Sequence, residues 1–248
     1  MGQSTTLTDV TSGNTSLPLL IRYNTSDILA MILEWPTLRS FFDFSDRNTM
    51  TESGGEVVSV ADLTGNFIAT AAVGERAVYS ATAINGQPGL VFSGTKKYKV
   101  VGMMAADTSV SWASCYKSTA PTNASQMVLS DSATPSQNLY TGGDAVRMFS
   151  AALEMIVPNM RNRPVNTIWT MNYLTDVINV YCDGISASGS SNQAIMSGDA
   201  NIGAWNDGVT TNRWIGSLGY LAHFTEDASQ NAALRNLLDE YKLRRWRG

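Results

Sequence analysis

The residues able to do chemistry are few and poorly spaced for it. Glycoside hydrolysis needs two carboxyl groups facing each other across the bond, one acting as acid and one as base or nucleophile. The chain has seven glutamates: Glu34, Glu52, Glu56, Glu75, Glu154, Glu226 and Glu240. Glu52 and Glu56 stand closest together, but Ser53-Gly54-Gly55 between them reads as a solvated loop. Nucleophilic catalysis through a base would have to use His223, the one histidine. It falls inside an apolar strand, where a hydrogen-bonded structural imidazole is the expectation. With no paired CxxC and one imidazole, a zinc site lacks its usual ligands. Cys115 and Cys182 read as small buried hydrophobes. A bond between them stays open, the reduced pair being expected for a chain made in a cytoplasm. What remains is recognition. An aromatic ring with planar polar neighbours can stack on a sugar and bond its hydroxyls, and Trp205, Asn206 and Asp207 in GAWNDG form the best such cluster. Trp205 as a loop anchor is the competing reading, and Trp112, Trp169 and Trp214 read as core.

The elements that must position these residues are read from composition and period. Charged residues make up only 15% of the 248 positions and apolar ones 44%, so Ser, Thr, Asn and Gly must supply much of the surface. That bias suits an all-β protein with many short turns. The net charge of −4 leaves no electrostatic footprint for nucleic acid. The cationic run Lys242, Arg244, Arg245 and Arg247 reads as a helix end favouring the carbonyl pole. The first residues carry neither a basic nor an apolar leader segment, and no apolar stretch is long enough to span a membrane.

Residues 1–17 are polar and aperiodic, an arm. From Ser26 to Trp35 the pattern turns helical: Thr25 or Ser26 can cap it, Ile28, Leu29, Ile32 and Trp35 share a stripe, and Pro36 ends it. Residues 1–36 are therefore taken as an arm and short helix whose stripe docks on another protein, and 37–248 as the body. Along the body, Val110, Trp112 and Ser114 alternate with Ser111, Ala113 and Cys115, a period of two. Ile178, Val180 and Cys182 share a face before Asp183-Gly184, a hairpin dipeptide. Residues 186–200 read as loop. In Arg213–Phe224, the residues Trp214, Leu218, Tyr220, Ala222 and Phe224 are placed on one face. A helix over about 227–244 closes the chain, with Leu234, Leu237, Leu238 and Tyr241 on its inner side. Many short strands and one terminal helix predict a two-sheet antiparallel jelly-roll sandwich.

Four segments, in order, resemble the concanavalin A-like lectin and laminin G-like jelly rolls found in tailed-phage structural proteins. They are FFDFSDRNTMTESGGEVVSVADLTGN (41–66), INGQPGLVFSG (84–94), VINVYCDG (177–184) and the closing run from NIGAW to the final helix (201–246). Ala222-His223 departs from the acidic residue of many relatives. Hydrolytic relatives carry Glu-x-Asp-x(-x)-Glu on one strand face, and no glutamate here has an aspartate two residues on. The resemblance implies a non-enzymatic virion surface protein, a capsid decoration, head-fibre or tail component. Its partners would be phage capsid or tail proteins and host-surface glycan, with homo-oligomers conceivable. It would be made in the host cytoplasm and carried on the particle. The alternatives are a carbohydrate-binding module with no virion role and, further off, a glycoside hydrolase. No cofactor is expected; calcium is the alternative, since many relatives bind it through loop oxygens, here Asp43, Asp46, Asp62, Asn66, Asp183, Asp199 and Asp207.

Overall fold

The structure is a computed structural model, and it describes residues 23–104, 109–119, 126–132, 138–142, 145–148, 153–157, 159–161, 163–190, 198–204 and 213–246. In chain order the elements begin with helix α1 (Thr25–Leu33) and strands β1 (Leu38–Asp43), β2 (Met50–Ser53), β3 (Glu56–Ala61), β4 (Ile68–Thr70), β5 (Val78–Ile84) and β6 (Gln87–Ser93). Then come β7 (Tyr98–Val100), β8 (Ser109–Ser118), β9 (Gln126–Asp131), β10 (Asn138–Gly142), β11 (Ala145–Met148) and β12 (Leu153–Ile156). The chain continues through β13 (Val165–Asn172), β14 (Val177–Cys182), β15 (Ile185–Ser190), β16 (Ala200–Ile202) and β17 (Ile215–Phe224) to helix α2 (Ala232–Arg245). No helix among the described residues is long and apolar enough to cross a membrane.

The strands form two antiparallel sheets, as the alternation predicts. One has eight strands in the order β15-β14-β13-β8-β17-β6-β5, with β1 also paired to β17. The other has nine, in the order β12-β11-β10-β9-β16-β7-β4-β3-β2. Their inner faces share a core that includes Phe42, Val60, Phe92, Val100, Trp112, Trp169, Val180 and Ile202. The period-two reading of β8 is accurate: Val110 and Trp112 enter this core, while Ala113 and Cys115 point the other way. Asp183 and Gly184 both take positive φ, 46° and 89°, as a tight hairpin turn between β14 and β15 requires.

A second core lies on the outer face of the eight-stranded sheet, under a roof made by both helices. Ile28, Ile32, Leu234, Leu238, Tyr241 and Trp246 pack there against Phe41, Cys115, Ile168, Tyr220, Ala222 and Phe224. The roof is pinned by polar contacts as well. Tyr241 donates to Asp43 Oδ2 at 2.8 Å, Trp246 Nε1 to the Pro88 carbonyl at 2.8 Å, and Trp35 Nε1 to Glu226 Oε1 at 2.5 Å. The Tyr181 hydroxyl and Asn166 Nδ2 both donate to Asp239 on α2.

Several expectations change. Neither Thr25 nor Ser26 caps α1: Asn24 does, its side chain accepting from the Asp27 amide while Asp27 accepts from the Asn24 amide, both at 2.9 Å. The stripe expected to dock elsewhere is filled by the chain itself, with Ile28 and Ile32 fully buried and Leu29 and Trp35 partly buried on the same core. Helix α2 starts five residues later than expected, because Asp227 is drawn into a turn by Ser229 and Gln230 and Asn231 is the cap. Residues 185–190, Ser- and Gly-rich, are strand β15 and not loop. In β17 the predicted face breaks in two. Trp214 and Leu218 lie between the sheets, but Tyr220, Ala222 and Phe224 lie under the roof, because the register against β8 slips at Gly219. A bulge adds one residue to one strand and so reverses the side that every later residue faces. Only glycine fits there, since a Cβ would sit 2.6 Å from the Trp246 ring.

Candidate functional site

The roof decides where a ligand can meet a sheet. Strands β8, β13 and β17 are buried almost end to end, so the eight-stranded sheet presents no broad face. The nine-stranded sheet does so over β3, β4 and β7. Its inward positions Val60, Ala69, Tyr98 and Val100 are fully buried, and the residues between them point outward. Register lines up Ser59, Thr70, Lys99, Asn201 and Ser130 as one row across β3, β4, β7, β16 and β9. Every member carries a hydrogen-bonding group. Ile68 and Val101, at 59% and 72% exposure, flank the row and offer apolar contact.

Above Thr70 and Lys99 the surface opens into a cleft of about 360 Å³, lined by Thr70, Ala71, Ala72, Glu75, Lys97 and Lys99. One wall is the turn after β4, closed by the Glu75 amide donating to the Ala72 carbonyl, with Gly74 at φ +87°. Arg213 Nη2 donates to Glu75 Oε1 at 3.3 Å, and Lys97 Nζ lies 3.6 Å from the same oxygen. Lys99 Nζ pairs with Asp199 Oδ2 at 3.0 Å, while the Gly102 amide donates to Asp199 Oδ1 at 2.8 Å. The Gly102 amide first, and Lys99 second, hold the Asp199 carboxyl below the usual carboxylate range. Beyond Lys99 the row goes under cover. Asn201 is fully buried with both amide atoms lacking a hydrogen bond, and Ser130 is buried too.

The residues singled out from sequence fall elsewhere. Trp205, Asn206 and Asp207 lie outside the described residues, as does the arm of residues 1–17. His223 faces the interior, stacked on Trp112 with ring centroids 4.1 Å apart, and neither ring nitrogen has a hydrogen-bond partner. The expected hydrogen-bonded imidazole is therefore a stacked one. Burial, with help from Arg39, lowers it to about 3, so it is neutral at physiological pH. Cys115 and Cys182 are both free and occupy opposite faces of one sheet, which rules out a bond between them. Burial pushes both thiols up, Cys182 to about 12.

The candidate calcium ligands are scattered and already engaged. Asp43 accepts from Ser45 and Tyr241, Asp46 caps a short turn at Asn48, and Asp62 closes its own turn at Thr64. Asn66 donates to the Arg39 carbonyl, Asp183 pairs with Arg163 and Lys242, and Asp199 pairs with Lys99. Among the described residues no three His, Cys, Asp or Glu side chains gather where they could hold a metal ion. The cleft itself was not foreseen. Its lining comes from a turn after one three-residue strand and from another three-residue strand, each too short to show a period.

No protein-family model matches the chain, and no curated protein sequence matches it. Solved structures do. Domain 4 of AbnA, a GH43 extracellular arabinanase from Geobacillus stearothermophilus solved with arabinotriose, aligns over 82% of this chain and 98% of that domain, with TM-score 0.60 and 15% identity. A Trypanosoma rangeli sialidase mutant with trans-sialidase activity aligns over 82% of this chain and 33% of that one, with TM-score 0.58 and 13% identity. Likeness at this identity establishes the β-sandwich fold. It lends no support to a tailed-phage role.

Proposed function

We propose that the chain is a non-enzymatic glycan-binding module whose ligand rests on the open face of the nine-stranded sheet, over the cleft between β4 and β7. One observation carries this reading. The helices cover the outer face of one sheet, and the other sheet keeps an outer face where Ser59, Thr70 and Lys99 stand in register beside Ile68 and Val101. A sugar presents both hydroxyls and C–H surface, and such a mixed face answers both. The same fold occurs in a domain solved with arabinotriose bound, which supports the reading. Among the described glutamates, four are held apart by separate partners: Glu52 by Arg47, Glu75 by Arg213, Glu226 by Trp35 and Thr37, and Glu240 by Arg244. That arrangement favours binding over hydrolysis, which needs two carboxyl groups aimed at one bond.

The test is a glycan array probed with the wild-type chain and two variants. Thr70→Trp fills the cleft, and Trp205→Ala removes the aromatic favoured by sequence. Wild type is expected to bind at least one glycan, and Thr70→Trp to bind it at least about tenfold more weakly. Wild type binding no glycan defeats the proposal. Loss confined to Trp205→Ala moves the site to residues 205–207.

A further inference from the structure

Resting on the glycan-binding reading, we infer that the cleft takes an anionic sugar, one bearing a carboxylate or sulfate, at the end of a glycan. Five features of the site point there. Two of its six lining side chains are ammonium groups, Lys97 and Lys99, against one carboxylate, Glu75; Arg213 on Glu75 and Asp199 on Lys99 add one charge of each sign behind them, leaving the site net cationic, although the chain as a whole carries a net charge of −4. The buried Tyr98 between the two lysines points inward, so Lys97, just before β7 and itself largely buried, and the more exposed Lys99 leave the same side of the strand, roughly 7 Å apart. That spacing lets them address two substituents of one sugar ring.

Glu75 does not oppose an incoming anion from the front. Arg213, whose side chain is only 9% exposed, and Lys97 both hold its Oε1. The row of polar residues also has a closed end. Thr70 is exposed and Ser59 half-buried, whereas Asn201 and Ser130 beyond Lys99 are buried. A glycan lying along the row therefore stops at Lys99. The volume of about 360 Å³ lies at the small end of the range for ligand sites and suits one or two sugar rings.

The experiment uses the full chain and calorimetric titration with four probes: a neutral disaccharide, its uronic-acid counterpart, its sulfated counterpart, and a longer oligomer of the acidic form. At about 20 mM salt at least one acidic disaccharide is expected to bind about tenfold or more tighter than the neutral one, as a charge-assisted hydrogen bond implies. Which of the two acidic forms binds better identifies the charged group. Raising salt to about 500 mM should shrink the advantage, because exposed charges are screened. Lys99→Gln, checked for folding by circular dichroism, should remove most of it. The longer oligomer should gain less than about threefold over the disaccharide. Equal or tighter binding of the neutral sugar overturns the inference but leaves glycan binding standing. Binding of no sugar overturns both. An acidic preference that survives in folded Lys99→Gln, or an affinity that climbs steadily with chain length, overturns the siting at a closed cleft.

Discussion

Strand β13 is buried at seven of its eight positions, whereas β4 and β7 bury only the residues that point into the sandwich. The backbones are alike, antiparallel and hydrogen-bonded on both sides. What differs is the outward residues. In the eight-stranded sheet they are Phe41, Cys115, Ile168 and Tyr220, and two helices come down on them. Over β3, β4 and β7 of the nine-stranded sheet they are Ser59, Thr70 and Lys99, which are partly or fully exposed. An antiparallel sheet tolerates either arrangement. The lesson is that the roof, not the sandwich, decides which face stays open.

Removing the roof is the strongest way to break this contrast. Deleting residues 1–34 takes away α1 and uncovers the surface that Ile28 and Ile32 seal. The loss of two fully buried isoleucines is expected to cost at least about 4–5 kcal/mol. The truncated chain should melt far lower and bind an apolar dye, and a truncated chain as stable as the full one would show that α1 is a passenger. Next in size is an acid effect on the interior. His223 is held near 3 in the folded chain against an ordinary value of 6.5. The folded state therefore binds fewer protons than the unfolded one between those values. The stability tied to a neutral His223 is fully present above about pH 6.5 and drains away as pH falls toward 3. Between pH 6.5 and 5 the loss should be about 2 kcal/mol. Denaturant melts across that range should show the slope in wild type and a shallower one in His223→Phe. The smallest effect belongs to the open face. Thr70→Ala and Ile68→Thr should each shift stability by less than about 0.5 kcal/mol, as exposed positions do. A larger shift in those melts would mean that this face is packed rather than open.

Much of this fold can be read from residue order alone, for identifiable reasons. Long strands show their period, so β8 and β14 were readable, and the Leu234–Tyr241 spacing announced α2. Strand β15 was hidden because ISASGS has too few large side chains to mark a face, and its pairing with β14 supplies what propensity lacks. The destination of α1 was hidden because an apolar stripe looks the same whether it packs at home or abroad. Its lock, Trp35 on Glu226, joins residues 191 positions apart. The cleft was the least readable part. Thr70 and Lys99 meet only through the pairing of β4 with β7, and no local pattern connects them.

The slip at Gly219 has a mechanical consequence. Before the slip Leu218 turns between the sheets; beyond it Tyr220, Ala222 and Phe224 turn to the helices while Leu221 and His223 turn between the sheets, so one strand serves both compartments. Drawing β17 out of either compartment pulls it out of the other. Both compartments share this strand, so the molecule is expected to come apart as one cooperative unit and not layer by layer.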